Sequence, residues 1–278
     1  MIKKILIAQD GSVYTKSTVD YGIWLAKKFE AGLIGFNVVD IVSLEGPFLH
    51  DLSGSLGFEP FLNFSTRMRE ALETRGKTIL GAFEDSCTNE KLDCETEIAF
   101  GVVANEICEK AKVADIVIIG RRGVNAQFEY GLLGSTTESV LRRSPKPVLI
   151  VPDKFSEPKK PLLAYDGSPT ASRAMHSAAE WAKTLKLPLT VITVTPSGED
   201  NSLLAEADDY LRPYKLETRL EHITDNDPPI AIEKYYKQHG HDLLFMGASH
   251  HSRLVEMVIG STTEHVMRTV DGPFFLER

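Results

Sequence analysis

Cysteine is scarce in this chain. Its 278 residues hold three, Cys87, Cys94 and Cys108, and none belongs to a Cys-x-x-Cys pair. So odd and sparse a set argues against a disulfide framework and for reduced thiols in a cytoplasmic protein. Long apolar runs are missing too. No stretch approaches the roughly 20 residues that a membrane span needs. The N-terminal run in MIKKILIAQDGS stops at Asp10, too early for a secretory signal. A basic surplus is the third absence. The net charge is -8, with no basic surplus to neutralise phosphates, which argues against nucleic acid and anionic membranes as partners. Cutting the chain after Pro158 does not uncover a basic module. Lys159 onward carries 13 Lys/Arg and 17 Asp/Glu, leaving 18 and 22 of the totals of 31 and 39, so each part stands at -4.

What the chain does have is a repeat. ILIAQDGS (5–12) and LLAYDGS (162–168) are apolar runs ending in Asp-Gly-Ser. DIVIIGRRG (115–123) parallels DLLFMGASH (242–250), and GSTTESVLRRSPKPVLIV (134–151) parallels GSTTEHVMRTVDGPFFLE (260–277). Landmarks in the same order twice mean two copies of one unit. The length supports two domains, 1–153 and 161–278, joined by a linker at 154–160 within PDKFSEPKKP (152–161), which has three prolines among mostly polar or charged residues. The first copy is longer: Asp10 to Gly120 spans 110 positions and Asp166 to Gly247 spans 81. The surplus is assigned mainly to residues 41–64, rich in Gly, Pro, Ser and aromatics, as an inserted loop over one face of the first domain.

Apolar runs such as Ile5–Ala8, Ile116–Ile119 and Val148–Val151 are continuous rather than alternating. Strands buried on both faces of a parallel sheet read this way. Between them lie amphipathic stretches such as Thr15–Glu30 and Thr170–Leu185. Trp24 and Trp181 fall 14 and 15 residues past their Asp landmarks and read as core anchors. The order β-α-β-α-β-α-β-α-β in each half predicts an α/β fold of two doubly wound, five-stranded parallel sheets. Ligands bind such sheets beyond the carboxyl ends of the strands, where strand order reverses. Both Asp-Gly-Ser segments and both Gly-spaced loops sit there.

Each feature has two readings. After the strand ending at Ile119, Gly120 and Gly123 let the backbone approach a ligand. Gly134-Ser135-Thr136-Thr137-Glu138 then opens a helix whose first amides have no internal partner and form an anion site. Alternatively, the Ser/Thr caps its own helix and Glu138 completes a capping box. Asp10 at a strand tip can accept hydrogen bonds from ribose hydroxyls, or it can form an Asx turn and N-cap. Arg122 is either a phosphate counter-charge or a solvated loop arginine. The pair His250-His251 invites a metal, but adjacent side chains point apart and no Cys or carboxylate lies at ligand spacing, so no metal is expected.

In combination these residues resemble the universal stress protein family. The carriers are the strand-tip Asp10, FNVVD at the second strand, and G-x2-G…G-S after the fourth, and the resemblance covers the chain twice. It implies a tandem member with an α/β/α, adenine nucleotide alpha hydrolase-like fold. The last strands, PVLIV and PFFLE, would pair within one chain as a pseudo-dimer, leaving a further homodimer open. Nucleotide-binding members carry G-x2-G-x9-G-[ST] and bind ATP, ADP or AMP. The resemblance therefore implies an adenine nucleotide, with Mg, in a cytoplasmic stress-response module that regulates or protects. It puts Asp10 on the ribose, the Val38 backbone on adenine, and Gly120, Gly123, Gly134, Ser135 and Thr136 on the phosphates. The matching second-copy positions are Asp166, Val194, Gly247, His250, Gly260, Ser261 and Thr262. Both copies depart from the pattern. The first has ten residues between Gly123 and Gly134, an extra residue that a flexible loop absorbs. The second keeps nine, but His250 stands where a glycine belongs, crowding the ligand or donating a hydrogen bond to phosphate. The first site is expected to be the better one.

No positioned base, nucleophile or metal accompanies these loops, so a binding module is expected rather than a dedicated enzyme, with slow ATP turnover allowed. The other function class is a scaffold that binds no nucleotide and acts through protein contacts; the inserted segment, with Phe48, Phe58, Phe61 and Phe64, either covers the crevice or presents a partner surface.

Overall fold

The computed structural model describes residues 1–40, 61–124, 133–196, 202–248 and 260–278, the side chains of 61–65 excepted. In the first half, β1 (Lys4–Ala8), β2 (Gly32–Asp40), β3 (Cys94–Gly101), β4 (Ile116–Gly120) and β5 (Val148–Val151) alternate with four helices. These are α1 (Thr15–Phe29), α2 (Phe61–Asn89), α3 (Val103–Ala111) and α4 (Ser135–Arg143). The second half repeats the order. Its strands are β6 (Pro161–Ala164), β7 (Leu189–Thr195), β8 (Thr218–Thr224), β9 (Leu243–Gly247) and β10 (Phe274–Glu277). Its helices are α5 (Pro169–Leu185), α6 (Ser202–Leu211), α7 (Pro228–Gln238) and α8 (Ser261–Thr269).

The ten strands form one sheet in the order β3-β2-β1-β4-β5-β10-β9-β6-β7-β8. Within each half every pairing is parallel; the halves join antiparallel through β5 and β10, with Phe274 opposite Ile150 and Leu276 opposite Val148. The predicted doubly wound α/β halves and their pairing through the last strands are therefore present. Alternate residues of the buried strands feed opposite faces: Ile5 and Ile7 pack under one helical layer, and Leu6 under the other. Each apolar layer runs without a break from one half into the other.

The two tryptophans do more than anchor separate cores. Trp24 of α1 and Trp181 of α5 meet edge to face at 6.3 Å across the junction, and Trp181 also packs, tilted or edge-on, against Phe29, Phe245 and Phe275. The connection between β5 and β6 is tied to α1: Tyr21 donates its hydroxyl to Ser156 O (3.1 Å), and Trp24 Nε1 donates to Glu157 (3.1 Å).

The reading of 41–64 as a loop needs correction at its end. Residues 41–60 lie outside the described residues, and Phe61–Phe64 already belong to α2. Much of the surplus length is helix, since α2 has 29 residues and α6 has 10. The sequence MREALETR (68–75) is rich in strong helix formers and lies within α2.

Candidate functional site

In the first half the strand order reverses between β1 and β4, and a cavity of about 460 Å³ opens beyond their carboxyl ends. Asp10, Val38, Gly120, Arg122, Gly123, Gly134, Ser135 and Thr136 all line it, so all eight first-copy candidates converge on one crevice.

Asp10 serves two purposes. Oδ1 accepts from the Ser12 amide (2.9 Å) and from the Thr15 hydroxyl (3.4 Å), the Asx turn the sequence allowed. Oδ2 faces Gly123, where an added Cβ would sit 2.8 Å away. Asp10 is not the helix cap; that position falls to Tyr14, whose side chain caps nothing.

Val38 owes its position to the ends of two strands. The Gln9 amide donates to Phe36 O (2.9 Å), and β1 ends there. The two-residue period turns the Val38 N–H and C=O to the same side as those of Phe36, beyond the end of β1 and into the crevice.

The helix start is decided by glycine. Gly134 is the N-cap of α4 and offers no side chain, so the capping alternative is overturned. Among the described residues, the Ser135 and Thr136 hydroxyls make no hydrogen bond, and Thr137 instead donates to Gly120 O (2.9 Å), pinning the helix to the strand tip. Gly134 also packs where a Cβ would come 3.2 Å from Arg122 Cα, so the turn and the helix start lie in backbone contact. The result is a run of uncapped amides and unspent hydroxyls facing the crevice, with the macrodipole adding positive potential.

Three of the lining residues that sequence reasoning did not name bear directly on the site's chemistry. Gln9 is 4% exposed, yet neither its amide oxygen nor its amide nitrogen has a hydrogen-bond partner. Asn37 donates to Gln9 O (2.7 Å) and so fixes the strand end. Arg75 comes from α2 and donates from Nη2 to Asp10 O (3.1 Å). Gln9 was open to detection as the residue before the strand-tip Asp; Arg75 carried no signal, because its place depends on how far α2 extends. One neighbour of the turn points elsewhere. Arg121 reaches across the junction and donates to Gly272 O (3.1 Å), and burial pushes its guanidinium below the ordinary value, opposed by Asp271.

The second copy repeats the frame and differs at the crevice. Asp166 Oδ1 accepts from Ser168 N (3.0 Å), Val194 follows Ile192 as Val38 follows Phe36, and Gly247 ends β9. Gly260 caps α8 without a side chain, with Ser261 exposed, Thr262 half-buried and Thr263 donating to Gly247 O (3.3 Å). But α5 starts three residues after Asp166, whereas α1 starts five after Asp10, and the Ser168 hydroxyl oxygen caps α5 by accepting from Ala171 N (3.1 Å). A Cβ on Gly247 would collide with Thr170 and the Ala171 amide. Tyr165 stands where the first half has Gln9, and its hydroxyl donates to Glu206 (2.7 Å). His250 and most of the ten-residue loop after Gly123 lie outside the described residues. Among the described residues, no group of three or more His, Cys, Asp or Glu is placed to hold a metal, and no helix is long and apolar enough to cross a membrane.

Comparison with known proteins gives one consistent result. The model of the Universal stress protein family matches residues 1–152 and again 158–276. A universal stress protein of Synechocystis is 28% identical over 283 aligned residues, covering 98% of both chains. One from Methanocaldococcus jannaschii is 32% identical over 58% of this chain and 85% of its own. Among solved structures, a universal stress protein of Archaeoglobus fulgidus superposes with a TM-score of 0.80 at 22% identity, over 99% of this chain and 98% of that one.

Proposed function

The chain belongs to the universal stress protein family, and from that premise we propose that its first half binds an adenine nucleotide and acts as a nucleotide-dependent regulatory or protective module. In this reading residues 1–153 form the binding unit, 154–160 the linker and 161–278 a second unit whose site is compromised. The observation that carries it is the start of α4: Gly134 leaves the helix amides uncapped, and Ser135 and Thr136 keep their hydroxyls unspent in the crevice. A phosphate is the group that such donors satisfy.

The rest of the ligand follows the lining. The Val38 backbone meets the adenine edge, Asp10 Oδ2 accepts from the ribose, and Gly120 and Gly123 let the backbone lie against the phosphates. Arg122 supplies counter-charge. The buried Gln9 amide, with donor and acceptor both unpartnered, fits a heterocycle that offers both. Mg would be held through the phosphates with few protein ligands, as is usual for this ion. In the second unit Asp166, Val194, Gly247, His250, Gly260, Ser261 and Thr262 repeat the pattern, and Gly260 leaves α8 uncapped in the same way, but the earlier start of α5 brings Thr170 and the Ala171 amide against Gly247.

We infer binding rather than dedicated catalysis. Phosphoryl transfer needs a residue that positions the attacking group beside the γ-phosphate, and the described lining offers Asp10 and Ser135 without a partner base. Slow ATP hydrolysis is compatible with that.

Calorimetric titration of the full chain with ATP and Mg tests this. One binding event is expected, lost in Gly134→Val and kept in Gly260→Val. No binding at millimolar nucleotide would replace this reading with a scaffold acting through protein contacts. Steady conversion of bound ATP to ADP would overturn the non-enzymatic part.

A further inference from the structure

A second cavity of about 440 Å³ adjoins the crevice, and its lining is unusual for so acidic a chain. Arg75 enters from α2 and Arg122 from the turn after β4, with Gly11, Ser12, Gly123 and Val124 between them. No Asp or Glu is among the described residues that line it. Both arginines also line the crevice, so the two spaces share walls.

Arg75 is held in place. Its Nη2 donates to Asp10 O at 3.1 Å, and its guanidinium lies over Gly11, where an added Cβ would come 3.1 Å from Nη2 and 3.4 Å from Nε. Gly11 has φ +75, so a side chain there is excluded by conformation as well as by space. One hydrogen bond to a carbonyl occupies one of the five donors of a guanidinium.

The second half marks this as a particular feature of the first. Ile79 Cδ1 lies over Gly11, and Leu203 Cδ2 lies in the same way over Gly167. The two side chains are therefore equivalent. Four residues before Ile79 stands Arg75, within α2. Four before Leu203 the sequence has Glu199, which lies outside the described residues, so the matching position carries the opposite charge.

We propose that Arg75 and Arg122 form a subsite for the terminal phosphates of a nucleoside triphosphate, so that the first half selects ligands by phosphate number. The inference rests on the nucleotide reading of the crevice and goes beyond it. The crevice holds the nucleoside and the phosphates nearest the ribose; the second cavity holds what a monophosphate lacks. Two guanidinium groups facing a terminal phosphate form charge-assisted hydrogen bonds that a shorter ligand does not reach.

The test is titration of the full chain with AMP, ADP and ATP at one ionic strength, for the wild type and for Arg75→Met and Arg75→Lys. The wild type is expected to bind ATP at least about tenfold tighter than AMP. Arg75→Met should leave AMP affinity within about twofold and remove most of the ATP advantage, with Arg75→Lys restoring part of it. Inorganic tripolyphosphate should compete with ATP in the wild type and compete more weakly in Arg75→Met. Equal wild-type affinity for AMP and ATP overturns the subsite and leaves the nucleotide reading intact. So does a loss in Arg75→Met that is the same for both ligands, since Arg75 would then only shape the crevice. Failure of all three nucleotides to bind overturns the nucleotide reading and the subsite with it.

Discussion

The two halves share a frame and differ around one cavity. At the start of the first strand in each, one aspartate accepts two main-chain amides: Asp115 from Lys3 and Lys4, Asp242 from Lys159 and Lys160. At the other end Thr137 and Thr263 tie the last helix to the glycine that closes the preceding strand. These ties set the sheet, and both copies have them. The helix start after the first strand, the residue at that strand's tip and the length of the next helix all differ, and all three border the crevice. The ties that hold the strands together are the same in both halves, and the walls of the ligand space are not.

The largest effect should come from breaking the assumption that the halves are separate. Trp181 is 2% exposed and packs on rings from both halves. Trp181→Ala should cost about 3–5 kcal/mol and shift a single denaturant transition as a whole. Two transitions, with only one displaced, would mean that the halves fold independently.

Next in size is the difference between the sites. Gly134→Val should weaken nucleotide binding at least tenfold, about 1.4 kcal/mol, while Gly260→Val changes it by less than twofold in the same titration. Equal losses would show two equivalent sites and erase the contrast.

A smaller effect concerns the strand tip. Tyr165→Phe removes the hydrogen bond to Glu206 and should cost about 1 kcal/mol in chemical denaturation. Gln9→Leu, at the corresponding first-half position, removes no internal hydrogen bond of that side chain and should be nearly neutral to stability while reducing affinity. A stability loss at Gln9 as large as at Tyr165 would make its amide structural.

The smallest is a pH effect confined to the second half. His241 is buried where the first half has Ala114, and burial lowers its pKa, with a hydrogen bond to Lys160 O opposing. A histidine whose folded value is depressed contributes stability above the unfolded value of about 6.5 and loses it as the pH falls through the folded value. Thermal melting from pH 7 downward should therefore show a flatter decline in His241→Gln, by less than about 1 kcal/mol. An unchanged slope would place the acid sensitivity elsewhere.

Much of the frame was legible because parallel strands buried on both faces leave continuous apolar runs, and Ile116–Ile119 or Val148–Val151 admit little else. The first-half candidates were legible because glycines at a strand end and a helix start mark close backbone approach. Arg75 was not, since nothing local tells a reader that the helix covering β2 and β3 begins early enough to include it. The meeting of Trp24 with Trp181 was also hidden. Each tryptophan reads as a core residue of its own half, and only the β5–β10 pairing brings the two cores together. The capping question at Ser135 turned on which residue adopts the extended N-cap geometry, and Gly134 and Ser135 are neighbours with equal claim until the backbone is seen.

The antiparallel seam between β5 and β10 has a consequence for how the molecule responds to dilution. Two separate chains that met along such an edge would part as their concentration fell. Here the partner edge is tethered by the nine residues between Val151 and Pro161, three of which lean on α1. Closing the seam is a first-order event, governed by a local effective concentration on the order of millimolar for a short tether. The assembled sheet is as complete in a single molecule as in a crowded solution.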